Sequence, residues 1–342
     1  MNDLQMARTH DEHGFNLAIG EPKLLQDEIR NIGLISRISE DDFRYPASAG
    51  EEELLKVLRP MYPGRYVVVT NGAKQAISAA LYALKVQGGK RVVHPSPHWP
   101  SYSTLAHHAG LEFSSFWTPD EMNERTTVKP VGDIWINTSP NNPDGDQHDY
   151  QCDIWDAAYA CSLYNFNPAL TPKHLIAVYS ASKLYGLSGF RIGWLVTDDP
   201  RLAERAATYV ETTTSGVSAF AQRYTALVIQ WMSQPALCGG ATTNGNRIYD
   251  HVRRLMNRNK KVFFEYLGSE CQAYQNGGMF GWFRPKRQAA FATALKNAQV
   301  KLLTGSACGV SAADWYRINF GHTNEYTSRA IIGLKKALDE IV

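Results

Sequence analysis

Lys183 lies in the stretch Ser180-Ala181-Ser182-Lys183-Leu184-Tyr185-Gly186-Leu187-Ser188-Gly189-Phe190-Arg191-Ile192-Gly193. A lysine at a strand end, set among small hydroxyl side chains and glycines, is suited to act as a nucleophile. Neighbouring cations keep part of its amine neutral, and a neutral amine condenses with a carbonyl to a Schiff base. Ser180 and Arg191 can together hold a phosphate, the arginine in a bidentate clasp. The plain alternative is a glycine-rich turn with a surface lysine, and composition alone favours it. A second candidate is Asn71-Gly72-Ala73-Lys74-Gln75-Ala76. It reads as a strand-to-helix turn, whose backbone N–H groups suit an anion.

The elements that must position these residues follow from hydrophobic periodicity. The run 65–70 is β-branched and reads as a strand, and 71–86 carries Ala, Leu and Ile at helical spacing. Further short apolar strands are expected at 91–95, 111–116, 133–137, 152–155, 175–180 and 190–196, with a helix at 101–110. Strands alternating with helices indicate a mostly parallel sheet covered on both faces, with ligands bound beyond the carboxyl ends of its strands. Polar and glycine-bearing residues fall at those ends: Asn71–Gly72, Pro95–Trp99, Asn137–Gly145, Asp156 and Ser180–Lys183. Two long helices are expected from 201 and 219, then a break at 238–247 and a charged helix to about 266. A glycine-rich strand pair at 273–283 opens a second, smaller α/β unit. The first 45 residues are polar and read as an extended arm.

Composition narrows the function classes. The 342 residues carry 35 Lys+Arg against 33 Asp+Glu, a formal charge of +2. The basic stretches 253–261 and 284–287 read as solvated surface, not a nucleic-acid footprint. Five scattered cysteines form no CxxC pair, so neither a disulfide scaffold nor a zinc knuckle is encoded. His107-His108 lacks a third ligand at useful spacing, and no metal site is expected. No secretory signal and no membrane-spanning run is visible, so a cytoplasmic setting is the expectation.

The Ser180–Gly193 stretch resembles the cofactor-lysine motif of fold-type I pyridoxal-phosphate enzymes, specifically the class I/II aminotransferases. The arginine eight residues after the lysine is part of the likeness, which extends from about Asn16 to Gly321. It implies a three-layer αβα large domain with a mostly parallel sheet, plus a smaller α/β domain. The expected division is an arm and part of the small domain at 1–45, the large domain at 46–240 and the small domain at 241–342. Lys183 is then similar to the lysine that binds pyridoxal 5'-phosphate, and Ser180, Arg191, Ala73 and Lys74 resemble its phosphate site. Pro97-His98-Trp99-Pro100-Ser101-Tyr102 resembles the segment that lays an aromatic ring, here Trp99, over the cofactor ring. Thr138-Ser139-Pro140-Asn141-Asn142-Pro143-Asp144-Gly145 is close to an NPxG-type motif, and Asn142 matches its asparagine. Asp156 and Tyr159 match an aspartate-x-x-tyrosine pair, the carboxylate holding the ring nitrogen protonated. Asp153 competes with Asp156, but its spacing to the tyrosine is wrong and strand alternation turns the two apart.

Arg317 resembles the clasp of the substrate α-carboxylate, and Gly20-Glu21-Pro22 resembles the loop that closes over the substrate. Tyr45 is similar to a tyrosine that reaches the phosphate of a partner subunit, which implies a homodimer with shared sites. Only 14 positions separate Asn142 from Asp156, where most relatives insert a helix. That short connection resembles the alliinase and plant tryptophan aminotransferase branch. The resemblance implies ping-pong transfer of an amino group from an L-amino acid to a 2-oxo acid. β- or γ-elimination, oxidation, and a non-catalytic binding relative are the alternatives.

Overall fold

The computed structural model describes residues 14–34, 40–115, 119–124, 129–236, 242–309 and 314–341. A short strand β1 (Phe15–Asn16) opens the described chain. Seven strands then build one sheet: β2 (Tyr66–Thr70), β3 (Arg91–Val93), β4 (Glu112–Ser114), β5 (Asp133–Thr138), β6 (Ile154–Asp156), β7 (Ile176–Ser180) and β8 (Gly193–Thr197). Their spatial order is β2-β8-β7-β6-β5-β3-β4. Only β8 runs against its neighbours. Every residue of β5 and β8 is buried, so the sheet is covered on both faces and the layers are three. The helices Gly72–Val86 and Pro200–Thr214 pack together against it.

The remaining strands are β9 (Cys271–Gly277), β10 (Phe280–Pro285), β11 (Val300–Lys301), β12 (Leu303–Thr304) and β13 (Tyr316–Asn319). Four of them form an antiparallel sheet in the order β12-β13-β10-β9, while β11 pairs in parallel with β1. The N-terminal segment is thereby tied to the C-terminal part of the chain. Two of the three hydrophobic clusters among the described residues follow this division. One surrounds the large sheet, and the other gathers Leu17, Phe263, Phe283, Phe291, Ile318 and Leu334. The helix Asn244–Leu267 runs through both, giving Ile248, Val252 and Met256 to the first and Phe263 and Leu267 to the second.

Three expectations need correction. The first 45 residues are not simply an extended arm: Lys23–Asn31 is a helix with Leu24, Leu25 and Ile29 buried. The strand expected at 190–196 starts only at Gly193, because Ser188–Phe190 is a 3-10 turn and Arg191 is left-handed at φ 56°. The break expected at 238–247 ends early, since the long helix begins at Asn244, capped by Thr243. Residues 238–241 of that break, 1–13 and 35–39 of the arm, and Phe116 of the strand expected at 111–116 lie outside the described residues.

Candidate active site

The parallel strands β2, β5, β6 and β7 point their carboxyl ends the same way, so Thr70, Thr138, Asp156 and Ser180 come to one edge. Lys183 sits just past β7 on a single helical turn, Ala181–Leu184. Its Nζ donates to Gly20 O at 2.6 Å, and its own carbonyl accepts from Tyr164 Oη at 2.8 Å. The Gly20 loop is therefore brought to the candidate lysine across 163 residues.

The phosphate candidates also converge. Gly72, left-handed at φ +78°, opens the helix Gly72–Val86. A Cβ there would meet Arg191 Nη2 at 2.2 Å, so the guanidinium lies directly against the first backbone units of the helix. Arg191 Nη1 donates to Ser188 O at 2.9 Å and to Ser182 Oγ at 3.4 Å. Ser180 pairs with Gly193 across β7 and β8, and a Cβ at Gly193 would meet Ala73 N at 2.6 Å. Helix N–H groups and an arginine facing one space form a site for an anion. Lys74 Nζ stands 5.2 Å from the centre of the Trp99 ring, which joins this group to the aromatic segment.

Asp156 is 5% exposed. Its Oδ2 accepts from Tyr102 Oη at 2.7 Å and its Oδ1 from Ala158 N at 3.1 Å. Burial raises its pKa, against the lowering effect of those two donors and of the Lys183 charge. Asp153 instead accepts from Lys129 Nζ and, at 2.6 Å, from Trp135 N, so the two aspartates serve different neighbours. Asn142 bridges two other candidates. Its Nδ2 donates to Tyr159 Oη at 3.3 Å and its Oδ1 accepts from Arg317 Nη1 at 2.5 Å. Arg317, on β13, also donates from Nη2 to Ala18 O and lies 4.4 Å over the Phe280 ring.

Tyr45 is not part of this cluster; it is 89% exposed. Several cluster members went unassigned from the sequence. Tyr102 holds Asp156, and Thr138 Oγ1 lies 2.5 Å from Tyr102 Oη and 2.9 Å from His94 Nε2. Phe280 underlies Arg317 and meets Tyr159 edge-on at 5.6 Å. Tyr102 had a weak signal, standing three residues after Trp99 at the start of a helix. Thr138 stood in the quoted Thr138–Gly145 stretch without an assigned role, and Phe280 and His94 had no signal, because their contacts cross many residues.

Two buried groups test whether a cofactor and an amino acid fit. Arg317 Nε is buried without a hydrogen-bond partner among the described residues, a donor still in want of an acceptor such as a carboxylate. The Asp156 carboxylate carries a desolvation cost that a cationic ring N–H would offset. With the anion site at Gly72, Ala73 and Arg191, the residues present fit pyridoxal phosphate and the carboxylate of an amino acid.

The architecture is that of the fold-type I transferases. An aspartate aminotransferase from Thermus thermophilus, solved with maleate, superposes with a TM-score of 0.73, covering 98% of this chain and 94% of that one at 20% identity. The allinase family model (Alliinase_C) matches residues 57–336, and the chain belongs to this family. Tryptophan aminotransferase-related protein 2 of Arabidopsis thaliana is 28% identical over 269 residues, 71% of this chain. The aligned region spans only 59% of that relative's length. An aspartate/prephenate aminotransferase of Thermus thermophilus is 23% identical, covering 94% of this chain and 89% of its own.

Proposed function

We propose that this protein is a pyridoxal-phosphate-dependent aminotransferase that moves the amino group of an L-amino acid to a 2-oxo acid. The observation that carries the reading is the continuous buried constellation Tyr159–Asn142–Arg317, with Lys183 and Arg317 both reaching the Ala18–Gly20 segment. Pyridoxal phosphate supplies, when bound, an electrophilic carbon and a ring that accepts electrons.

This chain's own residues do the rest. The N–H groups at Ala73 and Lys74, with Ser180 and Arg191, bind the phosphate, and Trp99 covers the ring. Asp156, oriented by Tyr102, holds a proton at the ring nitrogen, while Asn142 and Tyr159 hydrogen-bond the phenolic oxygen. Arg317 clasps the α-carboxylate, which orients the Cα–H bond toward Lys183. Lys183 would take that proton and deliver it to the electrophilic carbon within the same half of the exchange, and the second half would run the same shuttle in reverse. Gly20 permits the close approach of the substrate-facing loop: a Cβ there would lie 3.3 Å from the Phe280 ring and 3.7 Å from Arg317 Nη2.

A second reading, β-elimination, uses the same proton abstraction and is favoured by membership of the allinase family. An amino-acid panel separates the two. Without acceptor, a transaminating substrate is expected to give one equivalent of 2-oxo acid per site, with loss of the aldehyde absorbance. Added 2-oxo acid then restores that absorbance and yields a new amino acid. Continuous ammonia release without acceptor would establish elimination instead, and oxygen uptake would establish oxidation. Borohydride reduction followed by peptide mapping is expected to place the pyridoxyl label on Lys183, and a label on another lysine defeats the assignment.

A further inference from the structure

Lys260 lies on the helix Asn244–Leu267, between the residues that enter the first core and those that enter the second. It is 9% exposed, and its Nζ donates to Gly278 O at 2.7 Å. Burial lowers its pKa to about 8. A cation this buried is retained against a desolvation cost, so the carbonyl it holds is worth following.

Gly278 is in the turn between β9 and β10, left-handed at φ +54°. The preceding Gly277 lies backbone to backbone against Gly145, so close that a Cβ on it would be 2.2 Å from Gly145 O. Gly145 in turn donates its N–H to Asn141 O at 3.0 Å, closing the loop that presents Asn142. On the other side of the turn come Met279, whose carbonyl accepts from Phe320 N at 2.8 Å, and then Phe280. The Phe280 ring underlies Arg317 and touches Tyr159 edge-on. The adjacent Asn259 donates to Phe320 O at 2.9 Å and His322 O at 2.8 Å, just past the strand that bears Arg317. Two consecutive residues of one helix thus fasten both strands of the carboxylate clamp.

We propose that Lys260 is a positioning residue for the α-carboxylate clamp, acting through Gly278 to hold Phe280 beneath Arg317 and the turn against the Asn142 loop. Its relevance to turnover rests on the function proposed above; its hold on the turn does not. In the holoenzyme, Lys260→Met is expected to raise KM for the best amino acid of the panel about tenfold, the scale of one charge-assisted hydrogen bond. Because ground state and transition state lose the same positioned contact, kcat should change by less than about threefold. Affinity for pyridoxal phosphate is expected to stay unchanged, and Lys260→Arg to recover most of the lost KM. An unchanged KM, or a matching loss of cofactor affinity, overturns the proposal.

Hydrogen exchange at 277–281 supplies the second measurement. Faster exchange there in Lys260→Met supports the hold on the turn, and unchanged exchange refutes it. Should Lys260→Met not fold, Lys260→Gln, which removes the charge, and Phe280→Leu are combined in a double-mutant cycle on KM. Coupled effects support the proposal and additive ones overturn it. If the wild type turns over no amino acid, the function reading has failed, and hydrogen exchange alone decides the role of Lys260.

Discussion

Asp144 carries a carboxylate that is 3% exposed, two residues from the bridging Asn142. Burial, with the charge of Asp146, pushes its pKa up to about 7, against the Asp146 N–H and the Asn141 amide that hydrogen-bond it. Between the ordinary carboxylate value and about 7 the folded protein keeps a proton that the unfolded chain has shed. That contribution to stability is complete in acid below the unfolded pKa and is lost as pH rises through the folded one. Asp144→Asn removes the titration, so its stability relative to wild type should improve by about 1–3 kcal/mol between pH 5 and 8. Chemical denaturation at both pH values checks this, and a constant difference would show that Asp144 does not titrate in this range. At this scale the sequence is most informative where chemistry is contiguous. Ser180, Lys183 and Arg191 fall within one stretch, and Asn142 lies in another. Tyr102 meets Asp156 across 54 positions and Arg317 meets Asn142 across 175, so neither contact could be read from neighbours in the chain.

Secondary-structure elements meet at the site through glycine as much as through side chains. Gly145 has φ +77°, and a Cβ on it would lie 2.3 Å from Gly277 Cα, a distance no side-chain rotation relieves because both partners are backbone. Gly64 provides the comparison: its φ is +74° and nothing stands within 4 Å of its Cβ position. Gly64→Ala should therefore cost about 1–2 kcal/mol of left-handed strain, while Gly145→Ala must also part the β9–β10 turn from the Asn142 loop. Urea unfolding is expected to show the larger loss at Gly145, together with a raised KM. Equal losses would mean that the close approach contributes nothing. The strands of the large sheet were legible because their apolar runs are short and bounded by turn residues. The reversed direction of β8 was not, since a buried strand has the same composition either way. The helix Lys23–Asn31 escaped notice for a different reason. It buries only Leu24, Leu25 and Ile29, follows Pro22 directly, and gains its packing from the distant helix Asn244–Leu267.

On the scale of the whole molecule, the stretch from the end of the 3-10 turn Glu40–Phe43 to Tyr45 presents two large side chains to water. Phe43 is 84% and Tyr45 89% exposed, large side chains that a single copy leaves in water. Two large aromatic side chains this exposed within three residues are suited to a surface that another molecule covers. We propose that the cover is a second copy of this chain, with Tyr45 reaching the partner's phosphate site, so that each active site is completed in trans. Sedimentation of the holoenzyme is expected to give a dimer. Tyr45→Phe should keep that dimer while weakening pyridoxal phosphate binding about tenfold, the loss of one hydrogen bond to a charged group. Mixing decides whether the contribution crosses between subunits. Lys183→Ala and Tyr45→Ala homodimers each carry two defective sites. A hybrid dimer would carry one site with both defects and one with neither, because Lys183 and Tyr45 of a given site come from different chains. Assayed at a cofactor concentration that fills only sites with an intact Tyr45, the two variants refolded together should therefore regain about a quarter of wild-type activity. If Tyr45 instead serves its own chain, every hybrid site has one defect or the other, and mixing restores nothing.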